Sequence, residues 1–141
     1  MSGGDFFDTN VLVYQFDDRT PGKQETAHRV IRTAISEGSG VISFQVVQEC
    51  LNVVTRKLIP PLSAGEALQF LQVSLLSLWH VWPSRELYEH TLGIQARHSY
   101  SFYDSLIIAA ALEAGCARLY SEDFQDGQRI EGLTIVDPFR T

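Results

Sequence analysis

Cysteine is scarce: Cys50 and Cys116 are the only two, they lie far apart, and each sits among apolar neighbours. That pattern excludes a disulfide scaffold and a thiolate zinc motif, and leaves two reduced core thiols. Long apolar runs are missing too. The longest, Leu106 to Leu112, falls far short of the ~20 residues a membrane span requires. Met1-Ser2-Gly3-Gly4 has neither the basic region nor the apolar stretch of a secretory leader, so a cytoplasmic chain is expected. Positive charge is in deficit. Lys plus Arg number 11 against 17 Asp plus Glu, a formal net charge of -6. Such a balance argues against broad, non-specific wrapping of nucleic acid, while leaving room for a local basic rim. His28, His80, His90 and His98 show no metal-ligand spacing. Repeats, low-complexity tracts and linkers are absent, and 141 residues suit one compact domain over 1–141.

What the chain does contain is short apolar segments alternating with helical periods. Phe6-Phe7 leads into Asp8-Thr9-Asn10 and then Val11-Leu12-Val13-Tyr14, which reads as a strand exit, an acid at its tip and a helix start. After the polar break Asp17 to Gly22, apolar residues at Ala27, Val30, Ile31, Ala34 and Ile35 predict a helix from Lys23 to about Glu37. Gly38-Ser39-Gly40 ends it. Val41-Ile42-Ser43 reads as a buried strand, followed by a helix over about 44–58. On a helical wheel Glu49 falls about 40° beyond one edge of that helix's apolar arc. Pro60-Pro61 stops it, and Ser63-Ala64-Gly65-Glu66 is a capping box opening an apolar helix to about Leu78.

Trp79 to Trp82 is a candidate strand, and Ser84 opens a helix to about His98. The helix from about Asp104 to Ala114 is apolar all round, so it is expected at the centre. Arg118 to Ser121 and Leu133 to Val136 are the last strands. The alternation predicts α/β architecture: a three-layer sandwich with a mostly parallel sheet covered on both faces.

In such a sheet, ligands bind outside the carboxyl ends of the strands. Asp8, Glu49, Asp104 and Asp123 are all assigned to that edge. Each alone has a plain structural explanation. Asp8 can cap a turn, and Asp104, three residues after Ser101, can be the acid of a capping box. Asp123 can be a loop acid beside Glu122 and Asp126, and Glu49 a solvated helix residue. Together they carry a different weight. Two unit charges about 4 Å apart repel by about 4 kcal/mol at an effective dielectric of 20. A cluster therefore calls for raised pKa values or a cation. An all-oxygen set without Cys or His suits Mg²⁺ or Mn²⁺, ions that orient a phosphate and activate water for phosphodiester hydrolysis.

Four segments then match a known family. Asp8-Thr9-Asn10-Val11-Leu12-Val13-Tyr14 resembles the opening motif of the PIN-domain nucleases, and within them of the toxins of VapBC toxin–antitoxin pairs. Ser43 to Glu49, with Asn52 to Lys57, resembles the second motif. Tyr103 to Ala111 resembles the third, and Leu119 to Phe124 the fourth. The match spans nearly the whole chain, and all four motifs in order are specific.

The resemblance implies a metal-dependent endoribonuclease with Asp8, Glu49, Asp104 and Asp123 as its catalytic acids. It implies Mg²⁺ or Mn²⁺ held by Asp8, Asp104 and Asp123, with Thr9, Asn10 and Ser121 supporting the site. It also implies an RNA substrate, a homodimer and a small VapB-like antitoxin whose tail fills the groove. Phe44 departs from the pattern, since related sequences often carry a small hydroxyl residue there.

Arg97 and His98, close in sequence to Asp104, are the first candidates to grip RNA phosphates. Arg19, Lys23, Arg29, Arg32, Arg56 and Lys57 are further ones; for any one of these cations a solvated helix charge is the more ordinary reading. A phosphatase with a second Asp two residues after its nucleophile is excluded by Asn10. A phosphoacceptor receiver is excluded by the absence of any Lys after Lys57. The remaining alternative is a catalytically silent domain of the same fold that binds RNA or protein, against which the intact acids count.

Overall fold

The computed structural model describes residues 3–140. Met1 and Ser2, part of the segment read above for a leader, and Thr141 lie outside the described residues. Strand β1 (Asp5–Phe7) leads through Asp8 into the short helix α1 (Thr9–Val13), a 3₁₀ turn (Tyr14–Phe16) and helix α2 (Pro21–Glu37). Pro21 at the first helical position starts α2 two residues earlier than the apolar period alone indicated, and Gly38 closes it with φ of 67°. Strand β2 (Gly40–Ser43) then runs directly into helix α3 (Phe44–Asn52), capped by the Ser43 hydroxyl.

The helix expected over 44–58 is regular only to Asn52. Val53–Lys57 continues it as a π turn, with the Leu58 amide donating to the Val53 carbonyl. The next helix divides in the same way, into α4 (Ala64–Phe70), a π turn (Leu71–Leu75) and α5 (Leu76–Leu78). Its capping box forms as expected: the Glu66 amide donates to Ser63 Oγ and the Ser63 amide to Glu66 Oε1. Strand β3 (Trp79–Val81), helix α6 (Arg85–His98), helix α7 (Phe102–Glu113) and strand β4 (Arg118–Tyr120) follow. The chain ends in a pair the hydrophobic pattern did not signal in full, β5 (Arg129–Ile130) turning back onto β6 (Leu133–Val136).

The sheet order is β3-β2-β1-β4-β6-β5, parallel throughout except for the antiparallel β5–β6 pair. β1 lies between β2 and β4, and Asp8 stands at the end of this central strand. Its amide continues the ladder by donating to the Tyr120 carbonyl, and the Ser121 amide donates to the Val136 carbonyl. The two residues are thus fixed side by side at the strand ends.

Helices cover both faces. A Cβ at Gly40 would lie 2.5 Å from Leu78 Cδ2 and 3.1 Å from both Ala34 Cβ and the Phe7 ring. Phe7, α2 and α5 therefore share one face, and only glycine lets β2 meet them so closely. Phe6 points to the opposite face by the strand's alternation. Helix α7, buried from Ser105 to Ala111, contacts β2, β4 and β6. Cys50 and Cys116 are buried and unpaired, and burial pushes the Cys116 thiol up to about 11. Together these features make an α/β three-layer sandwich with a mostly parallel sheet, the expected class.

Candidate active site

Asp8 is held before any partner acid is considered. As the N-cap of α1 it accepts the Thr9 amide on Oδ1 at 2.8 Å, and Oδ2 accepts the Ser121 hydroxyl at 2.7 Å. The side chain is only 7% exposed. Burial pushes its pKa up to about 6. The hydrogen bonds from Ser121 and Thr9 offset part of that, and the charges of Asp123 and Glu49 add to it. Asp8 was at first equally readable as a cap. It is one, and the same geometry aims its carboxylate into an acidic pocket.

Glu49 comes from the first turns of α3, just after β2. Thr9 Oγ1 donates to its Oε1 at 2.6 Å, which ties it to the residue after Asp8. Its other oxygen accepts Gln45 Nε2 at 3.2 Å, and the same Nε2 lies 3.3 Å from the Tyr103 carbonyl in the first turn of α7. Gln45 thereby ties Glu49 to the turn that carries Asp104. It is a buried polar residue that the sequence reading left without a role. The available signal was its position four residues before Glu49, on the same side of a helix. Its Oε1 is buried with no hydrogen-bond partner, a polar atom facing the network without an acceptor's duty.

Asp104 stands in the first turn of α7. The expected capping box is half formed. The Asp104 amide donates to Ser101 Oγ at 3.1 Å, but among the described residues the Asp104 carboxylate has no hydrogen bond or ion pair. That leaves it available for the site.

The choice among Asp123, Glu122 and Asp126 is resolved by their partners. Asn10 Nδ2 donates to Asp123 Oδ2 at 3.1 Å, and the Asp123 amide donates to Ser121 Oγ at 3.1 Å. Glu122 instead accepts the Tyr14 hydroxyl at 2.6 Å and Lys23 Nζ at 2.8 Å. Asp126 accepts the Asp137 amide, which caps the chain after β6. Of the three, Asp123 is the one bonded into the network that holds Asp8. Asn10 serves as a two-sided brace, since its Oδ1 also accepts the Glu122 amide.

One hydrogen-bonded chain thus runs from Tyr103 through Gln45, Glu49, Thr9, Asp8 and Ser121 to Asn10 and Asp123. Arg97 and His98 stand outside it. Both close on Glu131 in the β5–β6 turn, Arg97 Nη2 at 2.7 Å and His98 Nε2 at 3.0 Å. Those contacts pull Glu131 below the usual carboxylate range.

Asp5, Asp17 and Glu122 are neutralised by Arg118, Arg19 and Lys23. Among the described residues, Asp8, Glu49, Asp104 and Asp123 have no Lys, Arg or His in ion-pair contact. The thiol of Cys50 registers the resulting field: burial, then the charges of Glu49 and Asp8, push it well up. Among the described residues no three His, Cys, Asp or Glu side chains are grouped so as to hold a metal ion. The test of fit is therefore the donor chemistry, and carboxylates without a protein cation suit a hard divalent ion.

An open parallel sheet with carboxylates gathered at the end of its central strand defines a strand-end acidic site. The PIN-domain family model matches residues 6–128, and the chain belongs to that family. Solved structures agree on the fold. A toxin–antitoxin complex from Klebsiella pneumoniae is 20% identical, with a TM-score of 0.67 over 96% of this chain and 98% of that one. DNA-bound VapBC from Salmonella typhimurium is 18% identical, with a TM-score of 0.67 over the same 96% and 98%. The VapC20 toxin of Mycobacterium tuberculosis, described as cleaving the sarcin–ricin loop, is 20% identical, with a TM-score of 0.59 over 82% and 87%. No curated protein sequence matches the chain.

Proposed function

We propose that the chain is a metal-dependent endoribonuclease and the toxin of a toxin–antitoxin pair. The observation that supports the reading is that Asp8, Glu49 and Asp123 are joined by one hydrogen-bond network and, among the described residues, have no protein cation in ion-pair contact. Asp8 is buried at the end of the central strand, and Asp104, in the first turn of α7, would complete the set. A silent binding domain would gain nothing from keeping Asp8 desolvated among like charges. Such a domain would be more stable with a neutral side chain there.

In this reading Asp8, Asp104 and Asp123 hold Mg²⁺ or Mn²⁺. The bound ion supplies charge neutralisation at the scissile phosphate and lowers the pKa of an attacking water. The chain's own groups do the rest. Ser121 and the Thr9 amide fix both oxygens of Asp8, and Asn10 fixes Asp123. Glu49, held by Thr9 and Gln45, is placed to accept a proton from the attacking water. The fit is one of donor chemistry, all oxygen and all anionic.

The likeness to VapC structures supports a partner as well. A small VapB-like antitoxin would block the site, and a homodimer would form on apolar side chains left outside the core. Leu68, Val73 and Leu76 on the α4–α5 segment, and Trp82, Tyr88 and Leu92 at and after β3, are exposed. Light scattering tests the dimer, and a monomer at high concentration would count against the toxin reading. The nuclease reading is tested by incubating the purified chain with total RNA and Mg²⁺ or Mn²⁺. Cleavage that stops with a chelator and is lost in Asp8→Ala and Asp104→Ala supports it. Intact RNA at every metal concentration would overturn it in favour of a binding module.

A further inference from the structure

We propose that a cationic cleft beside the acidic pocket, formed by Lys23, Arg29 and Arg140, is a phosphate-binding subsite for the RNA backbone. The inference rests on the ribonuclease reading and adds where the strand is held.

The cleft lies between the first turns of α2 and the end of the chain, with Thr26 and Phe139 in its walls. Its volume is about 500 Å³, within the range of ~300–1,000 Å³ typical of ligand pockets. Every charged residue lining it is basic, in a chain whose net charge is -6. Its cations are also unevenly engaged. Arg29 has no ion pair among the described residues. Arg140 reaches Asp126 only at 4.0 Å, with a side chain 67% exposed. Lys23 is the anchored member, bonded to Glu122 and lying 4.8 Å from the centre of the Tyr14 ring.

That anchoring joins the cleft to the acids. Glu122 holds Lys23 with its carboxylate at 2.8 Å and donates its amide to Asn10 Oδ1 at 3.3 Å, while Asn10 donates to Asp123 at 3.1 Å. One rigid link therefore separates a basic cleft from an anionic pocket. The juxtaposition suits a polyanion. A pocket of four carboxylates repels phosphate, so a strand that is to be cut there needs cations alongside to hold its flanking phosphates.

The test is equilibrium binding of a labelled 20-nucleotide single-stranded RNA of mixed sequence, read by fluorescence anisotropy over a range of salt. Full-length Asp8→Asn protein serves as the parent, so that the probe is not cut. Adding Arg29→Gln and Arg140→Gln removes two phosphate contacts. The slope of log affinity against log salt should fall by about 1.4, and affinity at 0.1 M salt by about 25-fold. Thr26→Glu, which adds an anion to the cleft without removing a cation, should weaken binding in the same direction. A control pair with the same charge change elsewhere, Arg85→Gln with Arg129→Gln, should leave the slope in place.

An unchanged slope in the cleft variants, or an equal loss in the control pair, overturns the subsite. So does a parent with no salt-sensitive binding. The total-RNA cleavage assay on the unsubstituted chain judges the nuclease reading separately: cleavage without cleft dependence sinks only the subsite.

Discussion

Replacing Asp8 with Asn should make the metal-free protein more stable while removing its activity. The carboxylate is 7% exposed and sits with its pKa near 6, against an ordinary value of 3.8. A raised carboxyl pKa favours the protonated form in the folded state. Its stabilising contribution is full below the unfolded value and is lost as pH rises through the folded one. At pH 7 the ionised Asp8 therefore opposes folding, by about 3 kcal/mol for a shift of this size at 1.36 kcal/mol per unit. Asn removes the charge but accepts less strongly from Thr9 and Ser121, which offsets about a third to a half of the gain. The net expectation is a gain of about 1.5–2 kcal/mol at pH 7, or several degrees in Tm for a domain of this size.

The assay is thermal unfolding of both proteins in chelator at a series of pH values from 4 to 8. The difference between them isolates Asp8 from other titrating groups. It should favour the unsubstituted chain slightly at pH 4, where Asp8 is protonated and only the weaker acceptor counts, and swing toward Asp8→Asn between about pH 4 and 6. Adding Mg²⁺ should raise the Tm of the unsubstituted chain and leave Asp8→Asn nearly unmoved. A difference that is independent of pH, or an Asn variant less stable at pH 7, would refute the electrostatic reasoning.

Two other outcomes are expected. Gln45→Ala should lower cleavage by about 10- to 100-fold, as loss of a side chain that orients a site carboxylate does. Its thermal unfolding should move little, and the loss should appear as a weaker Mn²⁺ activation constant; unchanged activation would remove Gln45 from the site. Gly40→Ala should destabilise the fold by about 1–3 kcal/mol in denaturant unfolding, because the added methyl meets Leu78, Ala34 and Phe7. A neutral result would mean that α2 and α5 do not press on β2 as described.

The features legible in the sequence are those that repeat locally. Hydrophobic period and turn residues located β1, β2, α2 and the all-apolar α7, and alternation of the two element types gave the parallel sheet. Two π turns were not legible, because a single extra residue per turn leaves the apolar period nearly intact over five residues. Strand β5 was not legible either: two residues carry no period, and its place depends on pairing with β6.

For the site, residue type and order assigned Asp8, Glu49, Asp104 and Asp123 to one edge, but a string of residues does not show who neutralises whom. Glu122 was separable from Asp123 only once Lys23 and Tyr14, about a hundred positions earlier, were seen to close on it. The same is true of Arg97 and His98, which nearness in sequence to Asp104 recommended and which pair with Glu131 instead. Gln45 was hidden for another reason. A Gln on a helix reads as surface, and its burial follows from α3 packing against α7's first turn, a tertiary fact.

We propose that Asp8, Glu49, Asp104 and Asp123 make one divalent-cation site. Mn²⁺ binding followed by electron paramagnetic resonance is the direct test, on the unsubstituted chain, Asp104→Asn and Asp8→Asn. The account expects saturable binding to the unsubstituted chain, with affinity reduced tenfold or more by Asp104→Asn and lost in Asp8→Asn. Binding that is absent, or equally strong in all three proteins, would contradict it.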